Sequence, residues 1–221
     1  MIAAALSLLL ALASPLPTEE PTRSSAFVPG DVMRDVVYAT VEGVPLKLDV
    51  YFPGASRDPV PLAIYVHGGG WTSGSKSAGA GFLDKDELLA RGWLVAAVDY
   101  RLAPQFKWPA QIQDVKAAVR FLRANAARFG VDGTRIGVWG GSAGGHLVAM
   151  LGLTDAAAGF DDSGGNFDQS SRVSAVVDYF GPADFTAGDW NPSQLTKVTI
   201  TDPTGAVIRI RRRFPATFWP A

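Results

Sequence analysis

Arg135-Ile136-Gly137-Val138-Trp139-Gly140-Gly141-Ser142-Ala143-Gly144-Gly145-His146 is the stretch that decides the fold. Its first five residues make a short apolar run suited to a strand buried on both faces. Gly144 to Leu153 then reads as a helix. Between them Gly140-Gly141-Ser142-Ala143-Gly144 fits G-x-S-x-G, the pattern of a sharp strand-to-helix turn that holds a serine in a strained backbone conformation. The flanking glycines let backbone segments pack where side chains would collide. Ser142 is thereby thrust outward, and the free N–H groups at the head of the helix, that of Ala143 included, face any anion forming beside it. A Gly-rich turn can also pack tightly for its own sake or cradle a phosphate, so the pentapeptide alone leaves the chemistry open.

A second motif upstream decides between these readings. His67-Gly68-Gly69-Gly70-Trp71 follows the apolar run Leu62-Ala63-Ile64-Tyr65-Val66. Three glycines after a buried strand leave backbone N–H groups bare to meet a developing oxyanion, as the HGGG-type loop does opposite a nucleophilic serine. The two motifs point to acyl transfer, with Ser142 as nucleophile and Gly69, Gly70 and Ala143 as oxyanion donors; Gly68 is the less certain neighbour. Removing one such donor typically costs about 10²–10³ in rate. Trp71 and Trp108 are candidate walls of an apolar substrate pocket, with ordinary core packing as the equal alternative.

Outward from these motifs the chain alternates strand and helix. Val32–Val41 and Leu46–Phe52 are strand-like around a turn at Glu42-Gly43, which predicts an edge hairpin. Leu62–Val66, Trp93–Val98, Arg135–Trp139 and Val173–Tyr179 read as further strands, and 82–91, 109–129 and 144–153 as helices, with a turn at Asp132-Gly133. This βαβ order predicts an α/β fold, a mostly parallel sheet with helices on both faces and its site at the strand C-termini. The Gly- and Asp-rich stretch 155–171 is expected to be a surface loop.

Together, His67–Trp71 with Gly74 and Lys76, Asp99-Tyr100-Arg101-Leu102-Ala103-Pro104, Trp108-Pro109-Ala110 leading to Asp114, Gly141–His146 and Tyr179-Phe180-Gly181-Pro182 resemble the hormone-sensitive-lipase-like esterases of the α/β-hydrolase fold. The likeness spans roughly Val32 to Val207. It lies nearest the feruloyl and acetyl-carbohydrate esterase branch, because Gly141 stands where the lipase-like branch has Asp. The resemblance implies hydrolysis of short-chain or aromatic carboxylic esters through an acyl-serine intermediate, with a small-molecule ester as partner and no cofactor.

A serine of this kind needs a base and an orienting carboxylate, which in this fold follow in the order Ser, Asp or Glu, His. The only histidines are His67 and His146. His67 opens the oxyanion loop and is expected to brace it. His146, one turn into the helix, is carried beneath the serine instead of over it. Asp178, Asp184, Asp189 and Asp202 follow Ser142 but cannot be assigned without a base. The last strands of the fold are therefore expected to be missing, through truncation or frameshift. The run Arg209–Arg213 is too charged for the buried strand that should come next. The alternative reading is a non-catalytic or defective fragment of the same fold, with an exposed sheet edge.

The composition agrees with a single globular domain: 221 residues, 48% hydrophobic and 19% charged. A net charge of −1 gives no reason to expect nucleic acid as partner. Zero cysteines exclude disulfides and thiolate chemistry, and two isolated histidines fall short of a metal set. Residues 1–13 read as a signal peptide ending in Ala11-Leu12-Ala13, too short to anchor in a membrane. Residues 14–30 read as a linker, 31–208 as the domain and 209–221 as an atypical tail, which places the protein outside the cell or in the periplasm.

Overall fold

A computed structural model describes residues 30–54, 56, 58–79, 82 and 84–185, together with the backbone of two short strands at 198–201 and 207–210. The expected signal segment 1–13, the linker up to residue 29 and the tail beyond 210 lie outside the described residues, as do Asp189 and Asp202.

The hairpin forms as the sequence predicts. β1 (Val32–Val41) and β2 (Val44–Tyr51) pair antiparallel around Glu42 and Gly43, both at positive φ (52° and 77°), the conformation a two-residue hairpin turn requires. β3 (Val60–Val66), β4 (Leu94–Val98), β5 (Val131–Gly141) and β6 (Ala175–Tyr179) complete a six-stranded sheet in the order β1-β2-β4-β3-β5-β6. β2 meets β4 antiparallel, and every pairing from β4 to β6 is parallel.

The central strands bury both faces because each faces a helical layer. Leu62, Ile64, Val66, Leu94, Ala96 and Val98 point toward α2 (Ala110–Ala124) and α4 (Ala143–Leu153) in one cluster. Ala63, Tyr65, Val95, Ala97 and Trp139 form a second cluster with Phe82, Leu88 and Leu89 near α1 (Asp84–Ala90). This is the α/β fold with helices on both faces that the alternation implies.

Two details differ from the sequence reading, and a third adds to it. The helix expected over 109–129 is two: the Asn125 side chain donates to the Phe121 carbonyl (2.9 Å) and ends α2, and α3 (Ala126–Phe129) closes at Gly130, φ 69°. β5 starts at Val131, before the Asp132-Gly133 turn, and its ladder with β3 jumps from Val60↔Val131 to Leu62↔Ile136. The Asp132 carboxylate, accepting from Thr134 N (2.9 Å), shapes this looped-out piece. Finally, 155–171 packs over α2 and supplies Asp161 to Lys116 (2.8 Å) and Arg120 (2.6 Å), cations that are 0% and 1% exposed.

Among the described residues β6 has a partner strand on one side only, β5. Val176 and Val177, on opposite faces, are 37% and 46% exposed. β7 (Val198–Thr201) and β8 (Val207–Ile210) pair antiparallel in a two-stranded sheet of their own.

Candidate active site

Ser142 sits between β5 and α4 at φ 57°, ψ −121°, a region that non-glycine residues occupy only when the surroundings impose it. Three contacts impose it here. The Ser142 N–H donates to the Tyr179 carbonyl at the end of β6 (2.9 Å). The His146 N–H returns to the Ser142 carbonyl (3.0 Å) as the first helical bond. Gly144 presses against the end of β3, where any side chain would collide with the Val66 carbonyl oxygen and stand 2.7 Å from that of His67. Ser142 therefore rests on a turn pinned between β3 and β6.

The loop 67–76 lies beside it. A Cβ placed on Gly68 would stand 3.5 Å from Ser142 Cβ and 2.7 Å from the Gly141 oxygen. Gly69 has φ 116°, and its carbonyl accepts from Thr72 N (3.2 Å) and Ser73 N (3.1 Å); a side chain there would collide with Ser73. The N–H groups of Gly69, Gly70 and, at the head of α4, Ala143 donate to no acceptor among the described residues. The structure thus sets the start of the glycine loop, at Gly68, against the Ser142 turn and the head of α4.

Both histidines are buried. His67 is 1% exposed, its Nδ1 lies 2.7 Å from the Gly68 carbonyl and its ring stacks on Tyr100 (4.2 Å between centroids, 10° between planes). Because that oxygen can only accept, Nδ1 carries the proton. Burial holds the His67 pKa below its usual value.

His146 is 8% exposed, boxed in by Trp71 (5.3 Å), Trp108 (5.6 Å) and Phe185 (5.2 Å). Its Nδ1 is buried with no hydrogen-bond partner among the described residues. Burial pushes its pKa down to about 4, against a smaller opposing pull from Asp178, so the ring is neutral and only weakly basic near pH 7.

Of the candidate pocket walls, Trp71 is 2% exposed and belongs to the core beneath the loop, while Trp108 is half-buried and also packs on Phe160 (5.7 Å). Asp178 accepts from Gly181 N (2.7 Å) in the turn after β6. The sequence reading gave no role to the segment after β4, although its residues hold the 67–76 loop at several points. Tyr100 Oη donates to the His67 carbonyl (2.9 Å), Ala103 N to the Trp71 carbonyl (2.9 Å), and Arg101 is fixed to Asp114 by a buried ion pair (2.8 Å). The only signal in the sequence was the order Asp99–Pro104 itself.

With this geometry in place, comparison with known proteins decides the kinship. The family model described as BD-FAE matches residues 48–211. The chain belongs to the BD-FAE family. It is 47% identical to the esterase LipC of Mycobacterium tuberculosis over 96 residues, 43% of this chain and 24% of LipC. It is 41% identical to the carboxylesterase NlhH of the same species over 124 residues, 53% of this chain and 36% of NlhH. Among solved structures it resembles a bifunctional GH43-CE protein of Bacteroides eggerthii (TM-score 0.64, 35% identity, 70% of this chain and 21% of that one). It also resembles Thermogutta terrifontis esterase 2 phosphorylated by paraoxon (TM-score 0.60, 31% identity, 69% and 57%). These relatives bear out the α/β-hydrolase esterase kinship and the fold class, and this BD-FAE chain spans about a quarter to a third of the curated relatives' length.

Proposed function

We propose that this chain carries the nucleophile and oxyanion half of a serine carboxylesterase acting on short-chain or aromatic carboxylic esters. The observation that carries the reading is Ser142 at φ 57°, held between β5 and α4 with the glycine loop against it. Ser142 Oγ attacks the ester carbonyl carbon, and the carbonyl π pair moves onto oxygen, where the Gly69, Gly70 and Ala143 N–H groups stabilise it. Collapse expels the alcohol, which carries off the proton given up by the Ser142 hydroxyl, and leaves an acyl-serine, which water cleaves to release the acid and restore the hydroxyl. Trp108, half-buried beside His146, is the better placed of the two tryptophans to touch substrate. The likeness to LipC, an esterase, and NlhH, a carboxylesterase, supports the ester class. The apolar run Ile2–Ala13 supports export.

A second reading, a chain of the same fold without efficient turnover, is favoured by the two buried histidines, neither of which is poised as base. A serine site stripped of its base retains only about 10³–10⁴-fold over water. Hydrolysis of p-nitrophenyl butyrate by the chain and by Ser142→Ala separates the readings. Serine-dependent release of p-nitrophenol supports the esterase; equal rates in both proteins support the second reading.

A further inference from the structure

The oxyanion loop is attached to the fold at its start by β3 and turns on the Gly69 carbonyl, which accepts from Thr72 N (3.2 Å) and Ser73 N (3.1 Å), and its returning limb carries an anchor of its own. That limb ends at Lys76. Its backbone N–H donates to Asp99 Oδ1 at 2.6 Å, and its Nζ lies 3.5 Å from Asp99 Oδ2. The same ammonium reaches Asp35 Oδ1 on β1 (3.1 Å) and the buried Asp49 Oδ1 on β2 (3.5 Å). Asp99 is a fixed point: its N–H donates to the Lys47 carbonyl on β2 (3.0 Å), and its carbonyl accepts from Tyr38 Oη on β1 (2.7 Å). Its backbone is therefore tied to both hairpin strands while its carboxylate grips the loop.

The next residues extend the grip. Tyr100 Oη holds the His67 carbonyl at the loop's beginning, and Ala103 N–H holds the Trp71 carbonyl at its middle. The segment 99–103 thus touches the loop at three points, of which only Asp99 secures the returning limb. Gly69 and Gly70, both at positive φ, lie in backbone of wide intrinsic freedom, so their placement depends on the tethers along the loop. Catalytic geometry tolerates displacements of only about 0.5 Å before rate is lost.

We infer that Asp99 is a positioning residue for the oxyanion loop, holding Gly69 and Gly70 in place through the Lys76 backbone N–H. This rests on the esterase reading for its effect on rate, but the loop geometry can be read independently. The pair Asp99→Ala and Asp99→Asn isolates it, because Asn keeps a side-chain oxygen to accept from Lys76 N–H and Ala does not. The full chain is examined by residue-resolved amide hydrogen exchange and by p-nitrophenyl butyrate hydrolysis.

The expected result is exchange at Thr72, Ser73 and Ala103 at least tenfold faster in Asp99→Ala, restored in Asp99→Asn, with the β5 amides unchanged. Serine-dependent kcat falls about tenfold in Asp99→Ala with little change in KM, and Asn recovers it. Unchanged loop exchange in Asp99→Ala, or loosening that spreads through β5, overturns the inference. Absence of Ser142-dependent turnover in the parent chain sinks the esterase reading alone, and the exchange data still decide whether Asp99 holds the loop.

Discussion

Asp114→Ala tests how the segment after β4 is secured. Asp114, 0% exposed on α2, accepts from Arg101 N (2.9 Å), from Nη2 (2.8 Å) and from Nε at both oxygens (3.1 and 2.9 Å), and Arg101 is itself 3% exposed at its side chain. Truncation leaves a buried guanidinium whose remaining carboxylate neighbour is the exposed Glu42, 3.5 Å away. Breaking a buried pair from one side costs about 3–5 kcal/mol, a large fraction of an ordinary domain stability of roughly 5–15 kcal/mol. At about 2–4 °C per kcal/mol for a chain of this size, Tm should fall by roughly 6–20 °C. The double variant Arg101→Met/Asp114→Leu removes both charges and should lie much nearer the parent. Urea and thermal unfolding read the effect. A loss below about 1 kcal/mol in Asp114→Ala, or a double variant no better than the single, refutes the reasoning.

Three further outcomes follow from the same structure. His146 has a folded pKa of about 4 against about 6.5 unfolded, so its contribution is complete above pH 6.5 and is lost as pH falls toward 4, by about 3 kcal/mol in all; His146→Phe should remove this slope in denaturation measured across that range. Gly144→Ala should destabilise by roughly 2–3 kcal/mol or more, because the added methyl meets the Val66 and His67 carbonyl oxygens, and an unchanged urea midpoint would contradict this. Val177→Lys, on the half-exposed strand β6, should lower light scattering during refolding while shifting Tm by only a few degrees; undiminished scattering would show that the β6 edge does not drive association.

Much of the fold was legible because its signals are local. The continuous apolar runs at 62–66 and 94–98 announce strands buried on both faces, and Glu42-Gly43 announces a hairpin. The strand-to-helix turn at Ser142 and the glycine loop after β3 were legible because each needs glycines at fixed places beside a strand end. What escaped depends on long-range pairing: Asp161 meets Lys116 across 45 residues, and Asp99 meets Lys76 across 23. A loop rich in Gly and Asp carries no sign that one of its carboxylates will neutralise two buried cations. The break between α2 and α3 escaped for a smaller reason, since Asn125 interrupts the apolar spacing only by turning its amide back onto Phe121.

As a nucleophile and not merely a tight corner, Ser142 on its strained turn should react covalently with an organophosphate. Incubation with paraoxon followed by peptide mass spectrometry tests it most directly. One diethylphosphoryl adduct is expected, on the peptide containing Ser142 and absent from Ser142→Ala; no adduct, or equal labelling in both proteins, would contradict the nucleophile role.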